Sequence, residues 1–251
     1  MQRTHRARSA LAFLIAGAAL ASALALSVAS TSAAARSATA ITVRVEGSAK
    51  TLVRTTAVTL GTASVVKDGK SADACSGKSA AGALEIATHG NWKGTWSASF
   101  KSYFLSAIDG LGFPSTGSEF WAFWVNDAPA TKGICAYVPK PGDSILFFPD
   151  CFGKKCPKSA GVLGAKAAAV ATVGQPYTVA VTAYSDAKGA PSKAAGAKVA
   201  GGGSSAVTTA GGTAKLSFSH AGHFTLEVTK PNAIRTEASV CVQTATAKTC
   251  G

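Results

Sequence analysis

The chain has 251 residues, and its 25 lysine and arginine residues against 12 acidic residues give a formal net charge of +13. The lysines are mostly scattered and the aromatic residues lie elsewhere, which argues against nucleic-acid binding. The charge favours a solvated cationic surface that attracts anionic cell-envelope polymers. A chain of this length more often forms two compact units than one.

Residues 1–40 have the order of regions that is typical of a secretory signal peptide. Three arginines precede a continuous apolar segment over residues 11–26, and small residues then offer cleavage sites after Ala35 or Ala40. An uncleaved N-terminal membrane anchor is the alternative. No second long apolar segment follows. We therefore expect a chain that is soluble after export, and that is secreted, extracellular or associated with the cell envelope.

Residues 41–157 have the pattern of an α+β domain. The segments "ITVRVEG" and "KTLVRTTAVTL" predict a hairpin of two strands. A helix is predicted next in "SAAGALEIATHG", with Ser79 as its N-cap and Gly90 as its stop signal. Four aromatic-rich strand candidates follow, each bounded by turn residues, namely "NWKGTWSASF", "SYFLSAIDG", "FWAFWVND" and "DSILFFPD".

Residues 158–251 differ in composition, being poor in aromatic residues and rich in Ala, Gly, Thr and Lys. Short alternating segments such as "QPYTVAVTAYSD", with Gly-rich turns about every ten residues, predict an all-β sandwich. The Ala-rich segment "GAKAAAVATVG" has helical propensity, but we interpret it as a linker and a first strand because the strand "YTVAVTAY" follows directly.

Six cysteines in an exported chain predict disulfides. Cys151 and Cys156 are near neighbours, as are Cys241 and Cys250, which leaves Cys75 to pair with Cys135. The first four cysteines allow three connectivities, so this pairing is one of several. The spacing does not match a zinc ribbon or a thioredoxin-type redox motif.

The motifs of the first half together resemble a known family. "ITVRVEG", "CSGKSAAGALEIA", "YFLSAIDG", "FWAFWVND" and "GIC…PKPGDSILFF" are similar to a secreted bacterial domain of unknown function that itself resembles the C-terminal domain of transcobalamin and intrinsic factor. The resemblance covers residues 41–152. It implies a β-grasp-like fold of the soluble-ligand-binding type, a corrinoid-like ligand, and cysteines at the positions of Cys75 and Cys135.

The second half resembles bacterial immunoglobulin-like or carboxypeptidase-regulatory-like β-sandwich modules. The resemblance rests on a G-A-x-V strand, a Gly-rich turn, the hairpin "TTAGGTAKL" and the aromatic strand after "HAGHF". It implies a spacer or adhesion unit for residues 158–251.

Catalytic motifs are not recognisable in the sequence. The pair His220 and His223 has no further ligand residue close by, and we interpret it as part of a turn rather than a metal site. We also interpret three aspartates as turn residues, namely Asp109, Asp127 and Asp143. A glycosidase pair of Glu119 and Asp109 is the one enzymatic alternative considered. We expect no enzyme activity, no cofactor and no metal.

The aromatic residues suggest a binding surface. In "FWAFWV" the period of two places Trp124 on one face of a strand and Trp121 on the other. A groove for a small flat ligand or a glycan is expected to draw on five residues: Trp92, Trp96, Trp121, Trp124 and Tyr137. The alternative is that these rings are core or interdomain packing.

These observations lead to two hypotheses about function. The first is an exported, non-enzymatic binding or surface-interaction protein, whose ligand is a corrinoid-like molecule or a cell-wall glycan. The second is a purely structural or adhesion protein of the cell envelope that has no small-molecule ligand.

Overall fold

The computed structural model describes residues 40–114, 117–153, 156, 159, 161–185 and 188–250. The predicted signal peptide lies outside this range except for its last residue. The predicted domain boundary at residues 157 and 158 lies outside it as well.

Among its described residues, the first half contains eight strands and one α-helix. Strands β1 (Ile41–Glu46) and β2 (Thr51–Val58) form the predicted hairpin, and helix α1 (Ala80–Ala87) follows a short 3-10 turn at Ser71–Asp73. Six strands come after the helix, two of which have only two residues: β3 (Trp92–Ser97), β4 (Ser102–Ile108), β5 (Leu111–Gly112), β6 (Glu119–Val125), β7 (Ala128–Pro129) and β8 (Ser144–Cys151).

A mixed sheet organises this half, with the strand order β2-β1-β8-β6-β7. Strand β8 inserts between β1 and β6, and it runs parallel to β1 and antiparallel to β6. Strands β3, β4 and β5 form a separate antiparallel sheet. Because β1 is buried at alternate positions from Ile41 to Val45, the predicted period of two is confirmed.

Helix α1 begins and ends where the sequence indicates. The Ser79 hydroxyl accepts a hydrogen bond from the Gly82 backbone N–H, and two further N–H groups, of Ala80 and Ala81, donate to carbonyls of the loop at residues 134–137. Gly90 has a φ of 79°, which a glycine adopts at little cost. The buried face of α1 packs on the mixed sheet, so one side of that sheet belongs to a first hydrophobic core.

The second half contains nine strands and no helix among its described residues. The strands are β9 (Val162–Ala167), β10 (Val170–Thr172), β11 (Tyr177–Tyr184), β12 (Pro191–Lys193), β13 (Lys198–Gly201), β14 (Ser204–Val207), β15 (Thr213–Leu216), β16 (Gly222–Thr229) and β17 (Thr236–Gln243). The Ala-rich segment is therefore strand rather than helix, as predicted, but the part interpreted as a linker belongs to β9.

These strands form two sheets around a second core. One sheet has the order β10-β17-β16-β13-β14, and in the other β11 pairs with β9, β12 and β15. Residues 162–172 change sheet, because β9 pairs with β11 whereas β10 runs parallel to β17. The apolar rows between the two sheets, which include Leu163, Val179 and Leu226, are fully buried.

The predicted disulfide pairing is confirmed for all six cysteines. Cys75 bonds to Cys135, Cys151 to Cys156 and Cys241 to Cys250. The first bond connects the segment before α1 to the loop between β7 and β8. Within the described part of the chain, no helix is long and apolar enough to cross a membrane.

A third apolar cluster joins the two halves. Ala122, Trp124, Leu146 and Phe148, from the sheet face opposite α1, pack with Val162, Tyr184 and Ile234 of the second half. The two halves belong to one compact unit. The second apolar face of the mixed sheet is therefore covered in part by the second half of the chain.

Candidate functional site

Strand β6 presents its two tryptophans to different cores. Trp121 faces the α1 side and its ring centroid lies 5.6 Å from that of Phe113. Trp124 faces the second half and packs edge-to-face on Phe148, also at 5.6 Å. Both side chains are buried. The Trp121 indole N–H has no hydrogen-bond partner among the described residues.

Trp92 and Trp96 of β3 pack on a common neighbour, Tyr103, with centroid distances of 5.9 and 5.1 Å. The buried Trp92 donates its indole N–H to Glu85 Oε2 at 2.6 Å, and the Lys67 ammonium lies 4.7 Å from the centre of its ring. Lys67 also pairs with Glu85 at 2.6 Å. The polar edge of Trp92 and its ring therefore both have partners within the chain.

Tyr137 and Asp143 form a polar contact at the turn before β8. The Tyr137 hydroxyl donates to Asp143 Oδ2 at 2.7 Å, and burial together with this carboxylate raises the pKa of Tyr137 to about 12. Burial alone would raise the pKa of Asp143, but hydrogen bonds from the Lys140 backbone N–H, Tyr137 and Asn126 lower it below its ordinary value. This carboxylate stabilises the turn, as its sequence context suggests.

The five predicted binding residues are thus not brought together in one groove. Four of them belong to or border the α1 side of the first half, and Trp124 faces the other side of the mixed sheet. Trp92, Trp121 and Trp124 are buried, while Trp96 and Tyr137 are half-buried. Their role in binding remains a prediction.

The exposed aromatic rings of the first half include Phe120 and Phe152 as well as the pair Phe100 and Phe104, which was not among the predicted binding residues. They are 68% and 58% exposed and pack edge-to-face with their centroids 5.5 Å apart. Both belong to the β3–β4 hairpin, in which Phe104 pairs with Thr95. Lys93 and Lys101 are exposed on the same hairpin. We call the surface formed by Lys93, Phe100, Lys101 and Phe104 the aromatic hairpin.

A buried ionic network joins the two halves. Glu46 of β1 is 1% exposed, and its carboxylate contacts Arg44 at 3.1 Å and Arg235 of the second half at 3.8 Å. Arg44 also donates to the Arg235 carbonyl oxygen at 2.9 Å. Burial raises the pKa of Glu46 to about 7, although the charge of Arg44 and the Thr51 hydroxyl oppose this. Burial likewise lowers the pKa of Arg44.

A second, more exposed ion pair lies beside this network. Glu237 of β17 accepts from Arg54 at 3.0 Å and from the Thr55 backbone N–H at 2.6 Å. Two clefts of about 450 and 590 Å³ border the junction. Arg235 lines the smaller cleft and Arg44 the larger, so the network contributes one guanidinium group to each.

The histidine pair that was interpreted as a turn lies at the start of β16. The His220 ring packs on Phe224 at 5.2 Å, and its Nδ1 lies 3.0 Å from the Ser219 hydroxyl. Among the residues that the structure describes, no three His, Cys, Asp or Glu side chains are grouped as metal ligands.

Residues 83–148, from α1 into β8, match the family model described as Domain of unknown function (DUF4430). This matched segment includes the aromatic hairpin, Cys135 and the whole of β6. The sequence resemblance to a domain of unknown function is therefore supported, whereas its further likeness to transcobalamin and the immunoglobulin-like module remain expectations. No curated protein sequence matches this chain.

Partial likenesses to solved structures are weak. A candidate metal-binding protein from Ruminococcus gnavus is 13% identical with a TM-score of 0.32, and the match covers 46% of this chain and 99% of that one. The complex of pro- and mature domains of RgpB from Porphyromonas gingivalis is 18% identical with a TM-score of 0.25, covering 32% and 19% of the two chains. The Arg-specific cysteine proteinase gingipain R is 16% identical with a TM-score of 0.26, covering 40% and 22%. The matched region spans about a fifth of each gingipain chain.

Proposed function

We propose that this chain is an exported, non-enzymatic surface-interaction protein whose aromatic hairpin binds an anionic, amphiphilic surface of the cell envelope. The proposal rests on one observation: Phe100 and Phe104 are exposed and contact each other near the end of a hairpin. A large aromatic ring gains free energy when it leaves water, and adjacent exposed rings are a recurring feature of interaction sites.

The chemistry of the pair favours an apolar contact over a sugar. Phenylalanine has no hydrogen-bonding group, unlike the buried tryptophans, so Phe100 and Phe104 offer only apolar surface. Lys93 and Lys101 supply positive charge on the same hairpin. Apolar rings flanked by lysines suit the boundary between headgroups and acyl chains of an anionic lipid surface.

The strand orders support the two-module architecture. In the first half β1 and β8, the first and last strands, lie side by side and parallel within the mixed sheet, which is what a β-grasp-like fold requires. In the second half residues 162–172 pair first with one sheet and then with the other, as expected of an immunoglobulin-like sandwich.

Two features favour export. The N-terminal 40 residues have the pattern of a signal peptide. All six cysteines form disulfides, which persist in oxidising compartments such as the extracellular space.

The test is binding of the mature chain to lipid vesicles, with peptidoglycan sacculi as the comparison surface. We expect co-sedimentation with vesicles that contain phosphatidylglycerol, and a loss of affinity of at least about tenfold in the variant F100S/F104S. The matched control V138S/V207S changes two other exposed apolar residues, 61% and 62% exposed, and should bind like the unchanged chain.

The lysines provide a separate readout of the same test. K93Q/K101Q should lower affinity for anionic vesicles by about thirtyfold and leave binding to neutral vesicles unchanged, since each lysine near such a surface contributes about 1 kcal/mol. Equal binding by F100S/F104S and the control, or binding to sacculi alone, would contradict the proposal. Absence of any binding would favour the purely structural alternative.

A further inference from the structure

The larger junction cleft, of about 590 Å³, has an unusual lining. Eight of its fifteen lining residues carry a hydroxyl group, five are charged, and the remaining two are Gly164 and Ala165. No aliphatic side chain larger than alanine lines it, apart from the methyl groups of threonines. Such a wall offers many hydrogen bonds and little apolar surface, which disfavours a flat apolar macrocycle and favours a ligand rich in hydroxyl groups.

One aromatic ring lies in this cleft, that of Tyr184 at the end of β11. Gly164 of β9 lies beneath it, and a Cβ at residue 164 would lie 2.7 Å from the ring atom Cε2. A side chain there would displace the ring, because real Cβ contacts are essentially never that short. The glycine therefore allows the Tyr184 ring to occupy this position in the cleft.

Asp127 of the first half also lines the cleft and interacts with Tyr184. It belongs to a two-residue turn between β6 and β7 in which Asn126 and Asp127 have φ values of 51° and 64°, as a type I′ hairpin requires. A Cβ at Gly189 would approach the Asp127 carbonyl oxygen at 2.6 Å, so the second half packs closely on this turn. Burial and the Asp127 carboxylate together raise the pKa of Tyr184. The pair is thus fixed by close packing from both halves.

The charges that line the cleft are nearly balanced. Arg44, Arg54 and Lys166 face the carboxylates of Asp127 and Glu237, and buried Glu46 contacts Arg44 at 3.1 Å. Glu237 is already paired with Arg54 at 3.0 Å. A strongly charged ligand gains little net attraction from such an arrangement, whereas a neutral ligand finds donors and acceptors side by side.

We propose that this junction cleft is a binding site for a neutral oligosaccharide. The Tyr184 ring is placed to pack against the C–H face of a sugar, as aromatic side chains do with apolar surfaces. The Asp127 carboxylate accepts hydrogen bonds from sugar hydroxyls, and Lys166 with the surrounding threonine and serine hydroxyls provides donors. This site is separate from the aromatic hairpin, and each can operate without the other.

The experiment is calorimetric titration of the mature chain with three trisaccharides, two neutral and one acidic: maltotriose, the N-acetylglucosamine trimer and the galacturonate trimer. We expect at least one neutral trimer to bind with a dissociation constant in the millimolar range or below, and more tightly than the galacturonate trimer. Asp127→Asn should weaken that binding by about tenfold, because a charge-assisted hydrogen bond is lost.

A matched control is available in Asp109→Asn. Asp109 occupies a similar left-handed position, with a φ of 47°, in the β4–β5 turn, and it does not line the cleft. It should leave binding unchanged. Gly164→Ala, checked for folding by circular dichroism, should weaken binding through displacement of Tyr184.

Three results would overturn the inference: no binding of either neutral trimer at millimolar concentration, tighter binding of the acidic trimer, or equal effects of the two aspartate variants. F100S/F104S should retain oligosaccharide binding. The two proposals can therefore be refuted independently. Vesicle binding tests the aromatic hairpin, and calorimetry tests the cleft.

Discussion

Glu46 of β1 and Arg235 of the second half form a buried ion pair across the junction, with Oε2 and Nε 3.8 Å apart and side chains 1% and 13% exposed. Both charges have left water, so Glu46 depends on Arg235 and Arg44 for compensation, and Arg235 depends on Glu46. The network therefore favours one fixed arrangement of the two modules.

The network predicts a large effect of removing Arg235. Arg235→Ala should lower the free energy of unfolding by about 3 kcal/mol at pH 8, because it leaves Glu46 buried with one partner fewer. Arg54→Ala is the comparison, since Arg54 is 70% exposed and its pair with Glu237 should contribute less than about 1 kcal/mol. Urea denaturation of both variants measures the difference. Equal effects would show that the junction does not depend on the buried pair.

The raised pKa of Glu46 predicts a pH dependence with a definite sign. The folded chain holds the proton up to a pH of about 7, whereas an unfolded glutamate with the ordinary value of 4.5 loses it earlier. Between these values the folded state binds more protons, so stability falls as pH rises from 4.5 to 7 and is level above. The contribution is about 3 kcal/mol at most.

Glu46→Gln isolates this contribution, because glutamine does not titrate. The difference in free energy of unfolding between the unchanged chain and Glu46→Gln should change across pH 4.5 to 7 and be constant above pH 8. A difference that is flat across the whole range would contradict the assignment.

The disulfides should differ in their stabilising effect. The Cys75–Cys135 bond spans 60 residues and the Cys241–Cys250 bond spans nine. In the chain-entropy model, C75S/C135S should lose about 4 kcal/mol and C241S/C250S about 3 kcal/mol. Chemical denaturation gives both values, and a larger loss for the short loop would show that loop length is not the controlling factor.

The burial of Trp92, Trp121 and Trp124 predicts little access for a soluble quencher. Iodide should quench a minor part of the tryptophan emission, and Trp96→Phe, which removes the one half-buried tryptophan, should remove most of that part. Titration with cyanocobalamin, haem or cell-wall glycans then tests the predicted tryptophan groove. Strong iodide quenching that persists in Trp96→Phe would mean that a further tryptophan is accessible.

Local features of the fold could be predicted from the sequence. The alternation of β1, the Ser79 cap of α1 and the disulfide pairs all depend on residue types at short spacing. The strand-rich second half was predicted for the same reason. The linker interpretation of the Ala-rich segment missed β9, because alanine has no strong strand preference and its pairing with β11 is a tertiary contact.

The site was harder to predict because burial depends on distant parts of the chain. The alternation of side chains along a strand correctly placed Trp121 and Trp124 on opposite faces of β6. That the face of Trp124 is covered by Val162, Tyr184 and Ile234 is a tertiary contact, which the local pattern does not contain. Phe104 offered a signal that was overlooked. In "SYFLS" the ring between inward-facing Tyr103 and half-buried Leu105 must point outward in a strand.

Hydrogen–deuterium exchange of the vesicle-bound protein shows whether the aromatic hairpin is the contact surface. Backbone amides of residues 98–104 should become protected on phosphatidylglycerol vesicles, while those of the β13–β14 turn at Gly202 and Gly203 should not change. Protection at the turn, or anywhere else, with the amides of residues 98–104 exchanging as in the free protein, would contradict the proposal.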